Sequence, residues 1–116
     1  MINAIVDLYI IRYNKQNGKY EVLINQEDSL VNFDLNSSYD MYTNIKNNIH
    51  NVLDIDINFL KYRLFDLDII DSNLKISYYI LVSYYTRVLE KNRFVPIEKQ
   101  INETNRIIFE KLKIII

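Results

Sequence analysis

The 116-residue sequence has no cysteine, no tryptophan, one glycine, one proline and one histidine. Each shortage removes a class of function. Without cysteine there is no disulfide framework and no thiolate metal site. With Gly18 as its only glycine, the chain cannot form a phosphate-cradling loop, because such loops need several residues without Cβ to bring backbone N–H groups up to the anion. A P-loop and a dinucleotide fingerprint are therefore excluded. His50 has no serine, cysteine or aspartate constellation around it to make it a catalytic base, and reads as a surface histidine. An excess of one charge is missing too. The chain has 14 Lys and Arg against 15 Asp and Glu, for a net charge of -1, so it has no bulk attraction for nucleic acid or for an anionic membrane. No run approaches the roughly 20 apolar residues of a membrane-spanning helix. Met1 to Tyr13 has no basic leader and is interrupted by Asp7, which argues against a signal peptide. A cytoplasmic protein is expected, with no cofactor, no bound metal and no membrane partner, and with no direct binding to nucleic acid.

What is present is ample apolar material. At 49% hydrophobic and 25% charged residues, the chain is expected to form one domain over 1–116 with a real core. It is rich in Ile, Asn, Lys and Tyr, a bias that points to AT-rich coding and lowers the weight of any single asparagine. Ala4 to Tyr13 is β-branched and aromatic and predicts a strand. Asn17-Gly18 predicts a hairpin turn, because both residues tolerate positive φ, and Tyr20 to Asn25 the return strand. Gln26 to Asn36 reads as loop. Ser37 to Asp40 resembles a capping box, and Met41, Ile45, Ile49, Val52 and Leu53 follow at helical spacing, predicting a helix that ends near Asp54. Phe59 to Leu67 predicts a strand and Asp68 to Asn73 a turn. Asp66, Asp68 and Asp71 lack the glycine of a calcium loop and read as a solvated turn. Leu74 to Val88 alternates clearly: Leu74, Ile76, Tyr78, Ile80, Val82 and Tyr84 on one face, Lys75, Ser77, Tyr79, Ser83, Tyr85 and Arg87 on the other. A short strand near Arg93 to Val95 is expected. Pro96 then opens a closing helix with Ile97, Ile101, Ile108 and Leu112 as its stripe. The order β-β-α-β-β-α predicts an α+β sandwich with helices packed on a mixed sheet.

Four stretches carry a resemblance: I-V-D-L-Y-I-I-R-Y from Ile5, K-Y-E-V-L-I-N-Q from Lys19, L-D-I-D-I-N-F-L-K-Y-R-L-F-D-L from Leu53 and K-I-S-Y-Y-I-L-V-S-Y from Lys75. Together with the closing helix they resemble the frame of Nudix hydrolases, above all the ADP-ribose-type branch and the Nudix domains of Nudix-related transcriptional regulators. The resemblance implies an α/β/α sandwich and a box helix reading Arg-Glu-apolar-x-Glu-Glu-x-Gly-apolar. Laid on this chain, Asn47 stands for the Arg and Asn48 for the first Glu. Ile49 keeps the apolar position, Asn51 and Val52 replace the paired Glu, Asp54 replaces the Gly, and Ile55 keeps the last apolar site. Carboxylates at i, i+3 and i+4 share a helix face and converge on Mg²⁺, a hard cation that prefers anionic oxygens and helps activate water. Asn48 and Asn51 offer neutral carbonyls and Val52 offers nothing. The resemblance therefore implies a Nudix-like domain without the box glutamates.

The expectation is a catalytically inactive ligand-sensing module for a nucleotide or sugar derivative such as ADP-ribose, working as a homodimer or with a protein partner. The candidate ligand-binding residues are Asn48 and Asn51 on the helix, with Tyr79, Tyr85 and Arg87 on the less apolar face of the long strand, where a base could stack and a phosphate could pair. The competing reading is a longin- or roadblock-like interaction module without a small ligand. Residual hydrolysis would need relocated ligands, with Glu90 or Glu98 as candidates. Asp7, inside an apolar strand, needs a partner, and Arg12, Arg63 or Arg87 could supply it.

Overall fold

The computed structural model describes residues 3–54, 61–89, 91–97 and 110–111. Its centre is β1 (Asn3–Asn14), in which every residue from Val6 to Ile11 is buried. Apart from Asp7 the run is apolar on both faces because both faces are covered, as expected for a strand with a parallel neighbour. That neighbour is β6 (Asn73–Leu81), in register from Asn3 opposite Asn73 to Ile11 opposite Leu81. On its other side β1 pairs antiparallel with β2 (Lys19–Ile24) and β3 (Val31–Asp34). β5 (Tyr62–Ile70) and β8 (Arg93–Pro96) complete a mixed sheet in the order β5-β6-β1-β2-β8. The helix α1 (Met41–Ile49) lies on it. Two residue pairs, Leu53–Asp54 (β4) and Arg87–Val88 (β7), form a separate small ladder. This is the expected α+β sandwich on a mixed sheet.

The alternation of β1 splits the core in two. Val6, Leu8 and Ile10 pack with Leu23, Ile76 and Ile80 under Ile45 and Ile49 of α1. Tyr9 and Ile11 face the opposite way, with Val22, Ile24, Leu30 and Ile97. Tyr78 packs against the α1-side cluster and Tyr79 against the other, so the long strand divides its tyrosines as its alternation predicts.

Several boundaries differ from those predicted. The β1–β2 hairpin closes on Asn14 opposite Lys19 through a four-residue loop, and of Asn17-Gly18 only Gly18 takes positive φ, at 70°. The expected loop Gln26 to Asn36 contains β3, because the Asn25–Ser29 turn sends Val31 to Asp34 back along Ile5 to Leu8. The cap of α1 is Asp40, whose carboxylate accepts the Thr43 N–H at 2.7 Å, so the helix starts three residues after the expected box opener Ser37. Hydrogen bonding from the Thr43 side chain, and after it from the Thr43 N–H, holds the Asp40 carboxyl below its ordinary value. α1 stops at Ile49 rather than near Asp54, because Leu53 and Asp54 are drawn into pairing with Val88 and Arg87.

The strand expected from Phe59 begins, among the described residues, at Tyr62 and runs on to Ile70. Asp66 and Asp68 therefore lie in β5 and not in a turn; the turn is Asp71-Ser72, both at positive φ. The long strand ends at Leu81, not Val88. There Tyr85 N–H turns back onto Ser83 Oγ and Thr86 N–H onto the Ser83 carbonyl. Such local bonds compete with a ladder. Pro96 sits in β8 opposite Glu21 and not in a helix, on an edge strand where its missing N–H is tolerated. Glu110 and Lys111 are helical; most of the expected closing helix, together with Glu90 and Glu98, lies outside the described residues. No described helix is long and apolar enough to cross a membrane.

Candidate functional site

The amides of α1 do different jobs. Asn44 is buried, at 3% exposure. Its Oδ1 accepts the Asn36 N–H at 2.8 Å, and its Nδ2 donates to the carbonyls of Asn36, Tyr39 and Asp40 at 3.0, 3.2 and 2.8 Å. It fixes the chain entering the helix. Asn48 Nδ2 donates to the Asn44 carbonyl at 2.8 Å, and Asn51 Nδ2 to the Asn47 carbonyl at 3.4 Å. Both back-bond onto their own turn, as short polar side chains do on helices.

Past the end of α1 the surface opens into a cleft of about 540 Å³. The helix end supplies His50 and Asn51, the turn after β2 supplies Asn25 and Gln26, and the β7–β8 turn supplies Leu89, Lys91 and Asn92. Backbone and side-chain bonds brace these walls. Leu89 N–H donates to the Val52 carbonyl at 2.8 Å, and Asn92 Nδ2 to the Leu89 carbonyl at 2.8 Å. Asn25 Oδ1 accepts the N–H groups of Glu27 and Ser29 at 2.8 and 3.1 Å, and Arg93 ties this turn to β8 through Asp28. The lining is mostly amide, with one lysine that makes no ion pair to a described residue. Amides both donate and accept, so such a wall suits the hydroxyl and carbonyl groups of a polar ligand, and the lysine offers a cation to an anionic group.

The expected site residues are not brought together. Asn51 lines this cleft. Asn48 sits one turn back on α1. Tyr79 faces the opposite side of the sheet, where its ring meets Phe65 at 6.0 Å. Tyr85 is exposed beyond β6, edge-on to Tyr84 at 5.3 Å with Lys15 Nζ 4.4 Å above its ring. Arg87 is in β7 opposite Asp54. A strand predicted to Val88 would have placed Tyr79, Tyr85 and Arg87 on one face; the turn after Leu81 separates them. Asn25, Gln26, Lys91 and Asn92 were not singled out as ligand residues; their one sequence signal is a position in polar turns.

The buried charges also choose partners the sequence did not name. Asp7 pairs with Lys75 at 3.0 Å, not with an arginine, because Lys75 lies on the same face of the neighbouring parallel strand. Arg12 instead takes Glu21 at 2.8 Å and stacks over Phe94 and Tyr84 at 4.2 and 4.9 Å. α1 contains no carboxylate, and among the described residues no group of three acidic or histidine side chains is placed to hold a metal.

No family model matches the sequence, and no curated protein matches it. Solved structures do. A MutT/Nudix family protein from Enterococcus faecalis superposes with a TM-score of 0.67 at 12% identity, over 83% of this chain and 44% of that one. This chain thus spans less than half of that relative. The Nudix domain of Shewanella oneidensis NrtR, solved with ADP-ribose, superposes with a TM-score of 0.70 at 13% identity over 97% and 87%. A chain of the complex between the C-terminal domain of mouse MUTYH and human PCNA gives a TM-score of 0.73 at 10% identity over 97% and 88%. At these identities the likeness is one of fold, and the fold is of the Nudix type.

Proposed function

We propose that this chain is a ligand-binding regulatory module on a Nudix-type fold that performs no hydrolysis. The reading is supported by the helix α1, which has no acidic residue between Met41 and Ile49, and by the open amide-lined cleft at its end. The ligand class is a nucleotide or sugar derivative such as ADP-ribose, the molecule bound by the structurally similar NrtR domain. Asn51 and Asn92 bond the sugar hydroxyls and Lys91 neutralises a phosphate. The module folds as one domain and works in the cytoplasm, as a homodimer.

The test is a thermal-shift panel with ADP-ribose, NAD and sugar phosphates, read beside a Mg²⁺-dependent hydrolysis assay. A ligand bound only by the native state at 100 times its dissociation constant stabilises by about 2.7 kcal/mol. The expected result is a shift with ADP-ribose, reduced in Asn51→Ala and Lys91→Gln, without turnover. No shift up to about millimolar ligand contradicts the binding role. Mg²⁺-dependent cleavage lost in Glu90→Gln contradicts the inactivity.

One observation supports a second reading, a protein-interaction module. On the edge strand β5, Leu64, Leu67 and Ile69 are 50, 57 and 69% exposed. Unpaired edges with apolar side chains are where another chain adds. Size-exclusion chromatography and affinity capture separate the two readings, since a stable heteromeric complex without ligand shifts favours this one.

A further inference from the structure

On the sheet face turned away from α1, β5 and β6 are lined with charge, and that charge is unevenly satisfied. Lys75 has Asp7 at 3.0 Å, and Lys111 has Asp66 at 3.1 Å. At the other end of the same two strands stand Lys61 and Arg63, both exposed, and neither makes an ion pair or hydrogen bond to a described residue. They flank Tyr62, which packs on the α1 side, so their side chains leave the opposite face two residues apart. Two cations at that spacing repel each other until an anion lies between them.

The surface between them is shaped. Lys61, Arg63, Tyr79 and Leu81 enclose a cleft of about 300 Å³. Arg63 is directly opposite Tyr79 across the ladder. The Tyr79 ring is held by Phe65 at 6.0 Å, and Phe65 in turn meets the buried Tyr9 at 5.1 Å, nearly perpendicular at 74°. Alternation from Tyr62 already puts Phe65 on the Tyr9 face, and the β-bulge at Leu64–Asp66 leaves it between two ladder partners, with Asp66 next to it opposite Ser77. Leu81, 56% exposed, forms an apolar wall. Two cations without an ion-pair partner among the described residues, a fixed aromatic surface and an apolar wall within one small cleft match a molecule with a phosphoryl group at one end and a flat or apolar group at the other. The volume is at the lower end for small-molecule sites.

We infer that the Lys61–Arg63–Tyr79–Leu81 cleft is a second ligand site, distinct from the cleft at the end of α1, and that it binds an organic phosphate of mononucleotide size or smaller. Arg63 and Lys61 hold the phosphoryl oxygens, and Tyr79 carries the ring.

The experiment is a titration of the full chain with AMP and with inorganic phosphate, followed by calorimetry and by amide chemical shifts. AMP is expected to bind more tightly than inorganic phosphate, to perturb Arg63, Tyr79 and Leu81, and to weaken as salt rises. Affinity for AMP is expected to fall about tenfold or more in K61Q/R63Q, and Tyr79→Leu to erase the preference for AMP over phosphate. The exposed glutamines should leave the melting temperature unchanged; if the double variant unfolds, the single variants carry the same measurement. Asn51→Ala and Lys91→Gln, in the other cleft, are expected to leave these shifts in place. AMP bound equally well by K61Q/R63Q, or no binding to the parent chain at about 10 mM, where even a millimolar site would be near saturation, overturns the inference.

Discussion

The two faces of β1 are built on different principles. Toward α1 the core is almost wholly aliphatic, with Val6, Leu8, Ile10, Leu23, Ile45, Ile49 and Ile80 all at 1% exposure or less. Away from α1 the same strand presents Asp7 paired with Lys75, and Tyr9, whose hydroxyl is pushed above its ordinary pKa by burial and by the nearby charges of Asp7 and Asp66. The first face stabilises by area removed from water; the second depends on charges meeting partners. Area is forgiving of detail, and paired charge is not.

That contrast can be broken by substitution. Leu8→Ala is expected to have the largest effect, lowering stability by about 2–5 kcal/mol through lost burial and a cavity under α1, measured as the denaturant midpoint. Lys75→Met should cost less, about 2–3 kcal/mol, because it strands Asp7 while solvent still reaches both side chains; the double change with Asp7→Leu should recover most of that loss. A double-mutant cycle measures the coupling, and full additivity would mean the pair is not an interaction at all.

Within α1 the comparison sharpens further. Asn44→Ala removes four hydrogen bonds from a buried site and is expected to cost about 2 kcal/mol. Asn48→Ala removes one back-bond from the half-buried polar face and should change stability by no more than about 0.5 kcal/mol. Equal effects would erase the distinction drawn between the two asparagines. The smallest expected effect is on pH dependence. The folded carboxyl of Asp40 sits below its ordinary 3.8, so its contribution is complete above that pH and fades as pH falls through the lowered value. Asp40→Asn keeps an acceptor for Thr43 N–H and should flatten that part of the acid-unfolding curve.

The legible part of this molecule is its period-2 patterning. β1, β2 and β6 were readable because their side chains alternate or run apolar over six or more residues, and the face assignments within β6 hold through Ile80. β3 was unreadable because Val31-Asn32-Phe33-Asp34 is too short to show a period; it becomes a strand only because the Ile5–Leu8 edge of β1 is open to it. The end of α1 was misplaced because Val52 and Leu53 continue the helical spacing, while β7 offers Leu53 a pairing that helical continuation cannot match. The cleft was half legible for the same reason. Asn51 follows directly on the patterned helix, but Asn25, Gln26, Lys91 and Asn92 come from turns that meet only after the sheet has formed.

By itself the sequence determined the class of fold, the two faces of the central strands and the absence of carboxylates from α1, because these follow from local periodicity and residue chemistry. Only the tertiary structure decided which lysine neutralises Asp7, which turns enclose the amide cleft, and that Tyr79 stands beside Arg63 instead of Arg87. Those outcomes depend on strand order and register, which join residues far apart in the chain and leave no mark in either one's neighbourhood.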